Sequence, residues 1–176
     1  MLMLIVTVAA QDVLPAQPIG DKTLVAWVSP ASLTQSGGAV LSVGGTSNLF
    51  DAIVFGEIAP GRWMAGSNFF LRTAQDQAAW PAETAQPGTL VQIAIAYEGK
   101  RVHIYRNGAP YAEYGFQGDP APLTTDSPVL LGLRHRGALN GYFAGGIADA
   151  RIYGSALSQE TIAALKCGRR GGPQPL

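Results

Sequence analysis

The sequence is short of cysteine and of excess charge. Cys167 is the single cysteine among 176 residues, so neither an internal disulfide nor a cysteine metal cluster can form. Twelve Lys and Arg residues balance twelve Asp and Glu residues, which leaves no basic footprint for nucleic acid or an anionic membrane surface. We therefore exclude these two partners as main functions and expect the fold to depend on its apolar core.

Charged residues of either sign are also scarce, at 14% of the chain, whereas hydrophobic residues make up 47%. This composition provides a sizeable core but few charges to solvate the outer faces of helices. The 22 Gly and 12 Pro residues indicate many turns, which an all-β chain needs and a helical bundle does not. The length suits one domain.

Short apolar runs recur along the chain and are separated by Gly, Pro, Asn and Asp. They predict strands over residues 23–29, 39–43, 52–58, 91–97, 101–106, 111–116, 129–133 and 147–153. In the run 91–97, apolar residues alternate with small ones, so we expect a second layer close to the small face. Asn107-Gly108 between two of the runs predicts a type I′ hairpin, because both central residues of that turn need positive φ.

One segment near the C-terminus predicts a helix. Ser158 is its expected N-cap, Glu160 lies in the first turn, and Ile162 and Leu165 share one face. Regularly spaced strands closed by a short helix indicate an all-β, two-sheet antiparallel sandwich or jelly roll. We divide the chain into an apolar lead-in (1–22), the β-sandwich (23–166) and a linker or disordered tail (167–176).

Residues 1–10 are almost wholly apolar and too short to span a bilayer. They fit either the hydrophobic region of a signal peptide, cleaved after Ala10, or a first β-strand. The first interpretation places the protein outside the cytoplasm, secreted or periplasmic. The second leaves a cytoplasmic location open.

Three motifs in order carry a family resemblance. The stretch FAGGIADARIYGSALS, which begins at Phe143, resembles the closing strand and helix of laminin-G-like (concanavalin A-like lectin/glucanase) domains. The strand around Trp27 resembles an early strand of that family with its core tryptophan, and residues 90–108 resemble its central hairpin. The resemblance implies a concanavalin A-like jelly roll with one short C-terminal helix.

Segments 50–73 and 130–137 resemble laminin-G-like modules attached to secreted bacterial glycosidases, including those of glycoside hydrolase family 32. The resemblance implies a lectin-like module that binds a glycan or polysaccharide beside a linked catalytic domain. A spacer or protein-interaction module of a larger secreted protein is the alternative.

The resemblance also implies a structural calcium, ligated from the last strand. Ala148 stands where the family often has the Asp ligand, and Asp149 is the one nearby substitute. A hard cation needs several oxygen ligands, so we expect no cofactor or metal here, with Asp149 as a ligand only if a calcium site survives.

Catalysis as a glycoside hydrolase is the less favoured alternative. The E-x-D-x-x-E motif of the related glucanases is absent, and the nearest carboxylates on one predicted strand face, Asp51 and Glu57, would lie roughly 20 Å apart. Paired glycosidase carboxylates need a separation of about 5 to 9.5 Å. A catalytic pair of carboxylates contributed by two different strands is left open.

Sugar sites combine an aromatic face with planar hydrogen-bonding groups. The loop-rich middle of the chain and the segment after residue 133 supply such side chains. The candidate ligand-binding residues are Arg62, Trp63, Asn68, Arg72, Asp76, Trp80, Arg134 and His135. For Trp63 and Trp80 the alternative is that each plugs an edge of the sandwich, whereas we place Trp27 in the core.

Overall fold

A computed structural model of the chain describes residues 18–44, 49–168 and 175. The apolar stretch 1–10 and most of the predicted tail lie outside the described residues. Nine strands and one helix are defined: β1 (Lys22–Pro30), β2 (Gly38–Gly44), β3 (Phe50–Phe55), β4 (Trp63–Ser67), β5 (Val91–Glu98), β6 (Arg101–Arg106), β7 (Ala109–Gly115), β8 (Val129–Leu131), β9 (Gly145–Tyr153) and α1 (Gln159–Ala164).

The strands form two antiparallel sheets packed face to face. One has five strands in the order β7-β6-β5-β1-β9, and the other has four in the order β4-β3-β2-β8. The predicted jelly-roll sandwich with one short helix is confirmed. Because β1 lies between β5 and β9, the start of the domain is paired with its end, which closes the sandwich.

The core follows the alternation along the strands. In β5, Ile93 and Ile95 are fully buried in the central core between the sheets, whereas Ala94 lies in a second cluster on the outer face. That second cluster includes Trp27 and Ile162, so α1 is the extra layer that packs on the small residues of β5. The side chain of Ser158 accepts a hydrogen bond from the Thr161 amide, as expected of the N-cap.

The Asn107-Gly108 turn joins β6 to β7 with φ angles of 52° and 75°, as the hairpin prediction requires. Glycine is needed at 108 for a second reason. A Cβ there would lie 2.6 Å from the Cα of Ala163 in α1, so the helix could not pack so closely. The hairpin thus serves both the sheet and the helix layer.

The strand predictions differ from the structure most clearly at β3 and β4. The strand expected over 52–58 is β3, Phe50–Phe55, and it ends just before Gly56, whose φ is +71°. Strand β4 escaped prediction because its WMAGS sequence is buried at every position and therefore shows no polar alternation. In the part of the chain that the structure describes, no helix is long and apolar enough to cross a membrane.

Candidate functional site: a cleft on the outer face of the four-stranded sheet

The candidate site lies outside the four-stranded sheet, away from the central core. Along β3, Ile53 and Phe55 point into the central core, whereas Phe50, Ala52 and Val54 belong to a separate apolar cluster on the other face. Loops on either side of this outer face enclose a cleft of about 360 Å³. Its lining residues are Phe50, Glu57, Ser67, Asn68, Phe69, Phe70, Arg134, His135 and Arg136.

One wall of the cleft is the short 3-10 turn Asn68–Phe70, which follows β4 directly. Phe69 and Phe70 both have left-handed backbone conformations, with φ of 50° and 57°. Such angles cost a non-glycine residue about 1–2 kcal/mol each. Phe69 is 85% exposed, so the burial of its ring does not offset this cost. Strain of this kind persists when the surrounding structure fixes it, and it is concentrated at functional sites.

Arg72 is the residue that fixes the turn. Its backbone amide donates to Ser67 Oγ at 2.9 Å, on the near side of the turn. Its Nη2 donates to Asn68 Oδ1 at 2.8 Å and to the carbonyl of Phe50 at 2.9 Å. The guanidinium thereby ties Asn68, the first residue of the turn, to Phe50, the first residue of β3. These hydrogen bonds hold the turn in its strained shape.

Arg72 belongs to a buried cluster of three charged side chains. Arg72 Nε lies 2.8 Å from Asp51 Oδ1, and Lys22 Nζ lies 2.8 Å from Asp51 Oδ2. The side-chain exposures are 3% for Arg72, 1% for Lys22 and 0% for Asp51. Lys22 also donates to the carbonyl of Ala121 at 2.7 Å. Since Lys22 belongs to β1 and Asp51 to β3, the cluster links the two sheets. It holds two cations against one carboxylate.

The opposite wall is the segment that follows β8. Arg134 forms an ion pair with Glu57 and donates from Nη2 to Asn140 Oδ1 at 3.0 Å. Burial lowers the pKa of Arg134 from its ordinary value. The His135 ring packs against Phe50 with 5.3 Å between centroids, which makes an aromatic floor. The cleft therefore combines exposed rings with carboxylate, amide and guanidinium groups.

The structure brings three of the sequence-predicted residues, Asn68, Arg134 and His135, into this cleft. Arg72 lies behind it, as described above. Trp63 is fully buried in the central core, with its ring 4.6 Å from that of Phe55, so it offers no face to a surface ligand. The Pro and Gly residues around Trp63 had suggested a loop or strand edge, but the chain segment that carries Glu83 covers it.

Glu83 receives the indole N–H of Trp63 at 2.7 Å and a two-point contact from Arg106 at 2.6 and 2.9 Å. Burial alone would raise the pKa of Glu83. The hydrogen bonds from Arg106, Trp63 and the amide of Ala85, together with the charge of Arg106, outweigh burial and lower that pKa to about 2. This carboxylate is a structural partner of the core and remains ionised.

The other predicted residues lie at an edge of the sandwich, apart from the cleft. The Trp80 ring contacts Tyr114 at 5.9 Å and Tyr111 at 6.1 Å, and its carbonyl accepts a hydrogen bond from Arg62 Nε at 3.1 Å. Asp76 is exposed and accepts a hydrogen bond from the Ala78 amide at 3.1 Å. Trp80, in the segment between β4 and β5, thus packs on β7 beside the loop before β4 that carries Arg62, which is the edge-plugging placement considered above.

Sequence reasoning missed six of the residues that line the cleft: Phe50, Glu57, Ser67, Phe69, Phe70 and Arg136. A signal was present for Phe69 and Phe70. The triplet Phe69-Phe70-Leu71 is an apolar run directly after Ser67-Asn68, in a segment that shows no strand alternation. A run of this kind outside the predicted strands has no place in the predicted core. Glu57 and Arg136 carried no signal, because their places in the cleft depend on how the loops fold over the sheet.

The residues around Asp149 do not fit a calcium ion. The Asp149 carboxylate lies 2.5 Å from Arg151 Nη2 and accepts the Gly168 amide at 2.9 Å, so an arginine cation already neutralises it. Across residues 18–44 and 49–168, no three His, Cys, Asp or Glu side chains are grouped as a metal site would need.

The fold has known counterparts among solved structures. A SAP-like pentraxin from Limulus polyphemus matches with TM-score 0.61 and 15% identity, over 85% of this chain and 70% of that chain. Domain 4 of AbnA, an extracellular GH43 arabinanase from Geobacillus stearothermophilus solved with arabinotriose, matches with TM-score 0.60 and 18% identity, over 82% and 65%. The Ruminococcus gnavus IT-sialidase CBM40 bound to α2,3 sialyllactose matches with TM-score 0.56 and 16% identity, over 83% and 82%.

At these sequence identities, the likeness to the solved structures shows a shared fold and nothing beyond it. No curated protein sequence matches the chain. The family described as the concanavalin A-like lectin/glucanases superfamily, of laminin-G type, matches residues 6–163, which is most of the chain. Together with the two-sheet sandwich, this match shows that the chain belongs to the concanavalin A-like lectin/glucanase superfamily.

Proposed function

We propose that the chain is a non-catalytic carbohydrate-binding module and that its ligand occupies the cleft beneath the Asn68–Phe70 turn. The observation that carries this proposal is the strained turn itself. Two phenylalanine rings are kept at the surface at an energetic cost, beside amide, carboxylate and guanidinium groups. Sugar rings offer apolar C–H patches to aromatic rings and hydroxyls to planar polar groups, and the cleft provides both partners.

A catalytic role has less support. Among the described residues that line the cleft, Glu57 is the single carboxylate, and Arg134 is paired with it. A glycosidase of the usual kind needs two carboxyl groups flanking the scissile bond. The AbnA domain and the CBM40 module, whose structures contain arabinotriose and sialyllactose, also favour binding over catalysis. An accessory role beside a polysaccharide-degrading enzyme, outside the cytoplasm, is part of the proposal.

The test is affinity electrophoresis of the purified protein through gels that contain single polysaccharides, among them levan, inulin, arabinan and acidic glycans, with and without EDTA. We expect retardation by at least one glycan and no effect of EDTA. The Phe69→Ala variant should be retarded much less, because the stacking ring is gone. Loss of one such ring contact corresponds to roughly a tenfold fall in affinity.

Leu90→Ala is the matched control, since Leu90 is an exposed apolar side chain just before β5 in the other sheet. It should bind like the unmodified protein. Retardation that Phe69→Ala leaves undiminished would show that the glycan binds outside the cleft. No retardation by any glycan would refute the proposal and favour a spacer or protein-interaction role.

A further inference from the structure

The charges around the cleft are not balanced, although the chain as a whole is neutral. The sequence has twelve basic and twelve acidic residues. Glu57 carries the single carboxylate among the described residues that line the cleft, and Arg134 already forms an ion pair with it. Arg136 also lines the cleft and is exposed. Within the described part of the chain, no carboxylate lies within 4.0 Å of its guanidinium.

A second uncompensated charge lies directly behind the turn. Lys22 and Arg72 share the single carboxylate of Asp51, at 2.8 Å each. Arg72 reaches the cleft through its hydrogen bonds to Asn68 and to the carbonyl of Phe50, which both line it. Because this cluster is buried, salt and water screen its excess charge less than they screen a surface charge.

Taken together, the wall and the cluster behind it hold four cationic side chains against two carboxylates. The four cations are Lys22, Arg72, Arg134 and Arg136, and the carboxylates are Asp51 and Glu57. A cleft with an excess of one sign and low-dielectric walls focuses its field on the mouth. Arg136, an exposed residue of the cleft lining, can form charge-assisted hydrogen bonds with a planar anionic group.

We propose that the glycan taken by this cleft carries an anionic substituent, a carboxylate or a sulfate ester, and that Arg136 selects for it. This inference rests on the proposed function of the same cleft. The anion would supply the negative charge that the site lacks. Phe69, 85% exposed, would contact the apolar face of the sugar ring.

The experiment compares ligands that share a sugar backbone and differ in whether its substituent is charged. An oligogalacturonide is titrated into the protein by calorimetry beside its fully methyl-esterified form, and a sulfated galactan beside the unsulfated galactan. Each pair is measured at about 0.05 M and about 0.5 M NaCl. We expect each acidic form that binds to do so at least roughly tenfold more tightly than its neutral partner at low salt, with the preference reduced at high salt.

Arg136→Gln should reduce that preference about tenfold. Arg101→Gln is the matched control: Arg101 is an exposed arginine of β6, paired with Glu113, and its loss changes the net charge of the chain by the same amount. It should leave the preference intact.

The outcomes separate the inference from the proposed function. Equal affinity for the acidic and neutral members of both pairs, at both salt concentrations, overturns the anionic preference while the glycan-binding function stands. Preference for the carboxylated or for the sulfated ligand alone supports the inference and identifies the anion. Binding of none of the four ligands, nor of any neutral polysaccharide of the electrophoresis panel, overturns both. An Arg101→Gln effect equal to that of Arg136→Gln also overturns the inference, since net charge alone would then explain it.

Discussion

The conformation of Phe69 predicts an unusual order of stability among its variants. Its φ is 50° and its ψ is 24°, a left-handed conformation that glycine adopts without strain. Phe69→Ala keeps that strain, whereas Phe69→Gly removes it. We therefore expect the glycine variant to be more stable than the alanine variant by about 1 kcal/mol, the reverse of the usual order within regular structure.

The loss of the ring itself should cost little. Phe69 is 85% exposed, so burial protects about 15% of a side chain of roughly 200 Å², which is about 30 Å². At about 25 cal/mol per Å², that contact is worth about 0.75 kcal/mol. The alanine variant should thus unfold about 0.75 kcal/mol more easily than the unmodified protein. The glycine variant should match the unmodified protein or slightly exceed its stability.

The measurement is guanidinium unfolding followed by tryptophan fluorescence, with thermal melts as a second readout. A difference of about 1 kcal/mol corresponds to about 2–4 °C in Tm for a chain of this length. Leu90 gives the control pair, because it is 44% exposed and its φ is not positive. At that position the alanine variant should be the more stable one. Equal stability of the two Phe69 variants would refute the strained turn.

Two further predictions concern buried charges. Asp51→Asn leaves Lys22 and Arg72 buried without a carboxylate and should lower the free energy of unfolding by about 3–5 kcal/mol, measured in guanidinium. Asp119→Asn, at a 94% exposed surface pair, should change it by less than about 1 kcal/mol, and an equally small effect at Asp51 would contradict the buried cluster. Because the folded-state pKa of Glu83 is depressed from 4.5 to about 2, its contribution is complete above about pH 4.5 and is lost as the pH falls towards 2. The stability gap between the unmodified protein and Glu83→Gln, up to roughly 3 kcal/mol near neutral pH, should close over that range, and a gap that stays constant would refute the lowered pKa.

Local sequence signals predicted most of the fold. The alternation in β5, the Asn107-Gly108 turn and the Ser158 cap each depend on a few neighbouring residues, and each is confirmed. Such features are legible because backbone sterics and the two-residue period of a strand act over short distances along the chain. Strand β4 lacked that signal because both of its faces are buried.

The candidate site was harder to predict from the sequence than the fold. Sequence reasoning chose residues by chemical type, and tryptophan in a Gly-rich segment suggested an exposed platform. The structure instead covers Trp63 with the segment that carries Glu83, and it places Phe69 at the surface. Whether an aromatic ring faces core or solvent depends on segments that are distant in sequence and fold over it, so its local neighbours cannot decide the matter.

By itself, then, the sequence determined the class of fold, the family resemblance and the neutral overall charge, since these follow from composition, period and motif order. The tertiary structure alone decided the cleft and its electrostatics. Glu57 meets Arg134 across 77 positions of sequence, and Lys22 meets Asp51 between two sheets. Coulomb interaction depends on distance in space and on burial, and the packing of the two sheets and their loops sets both.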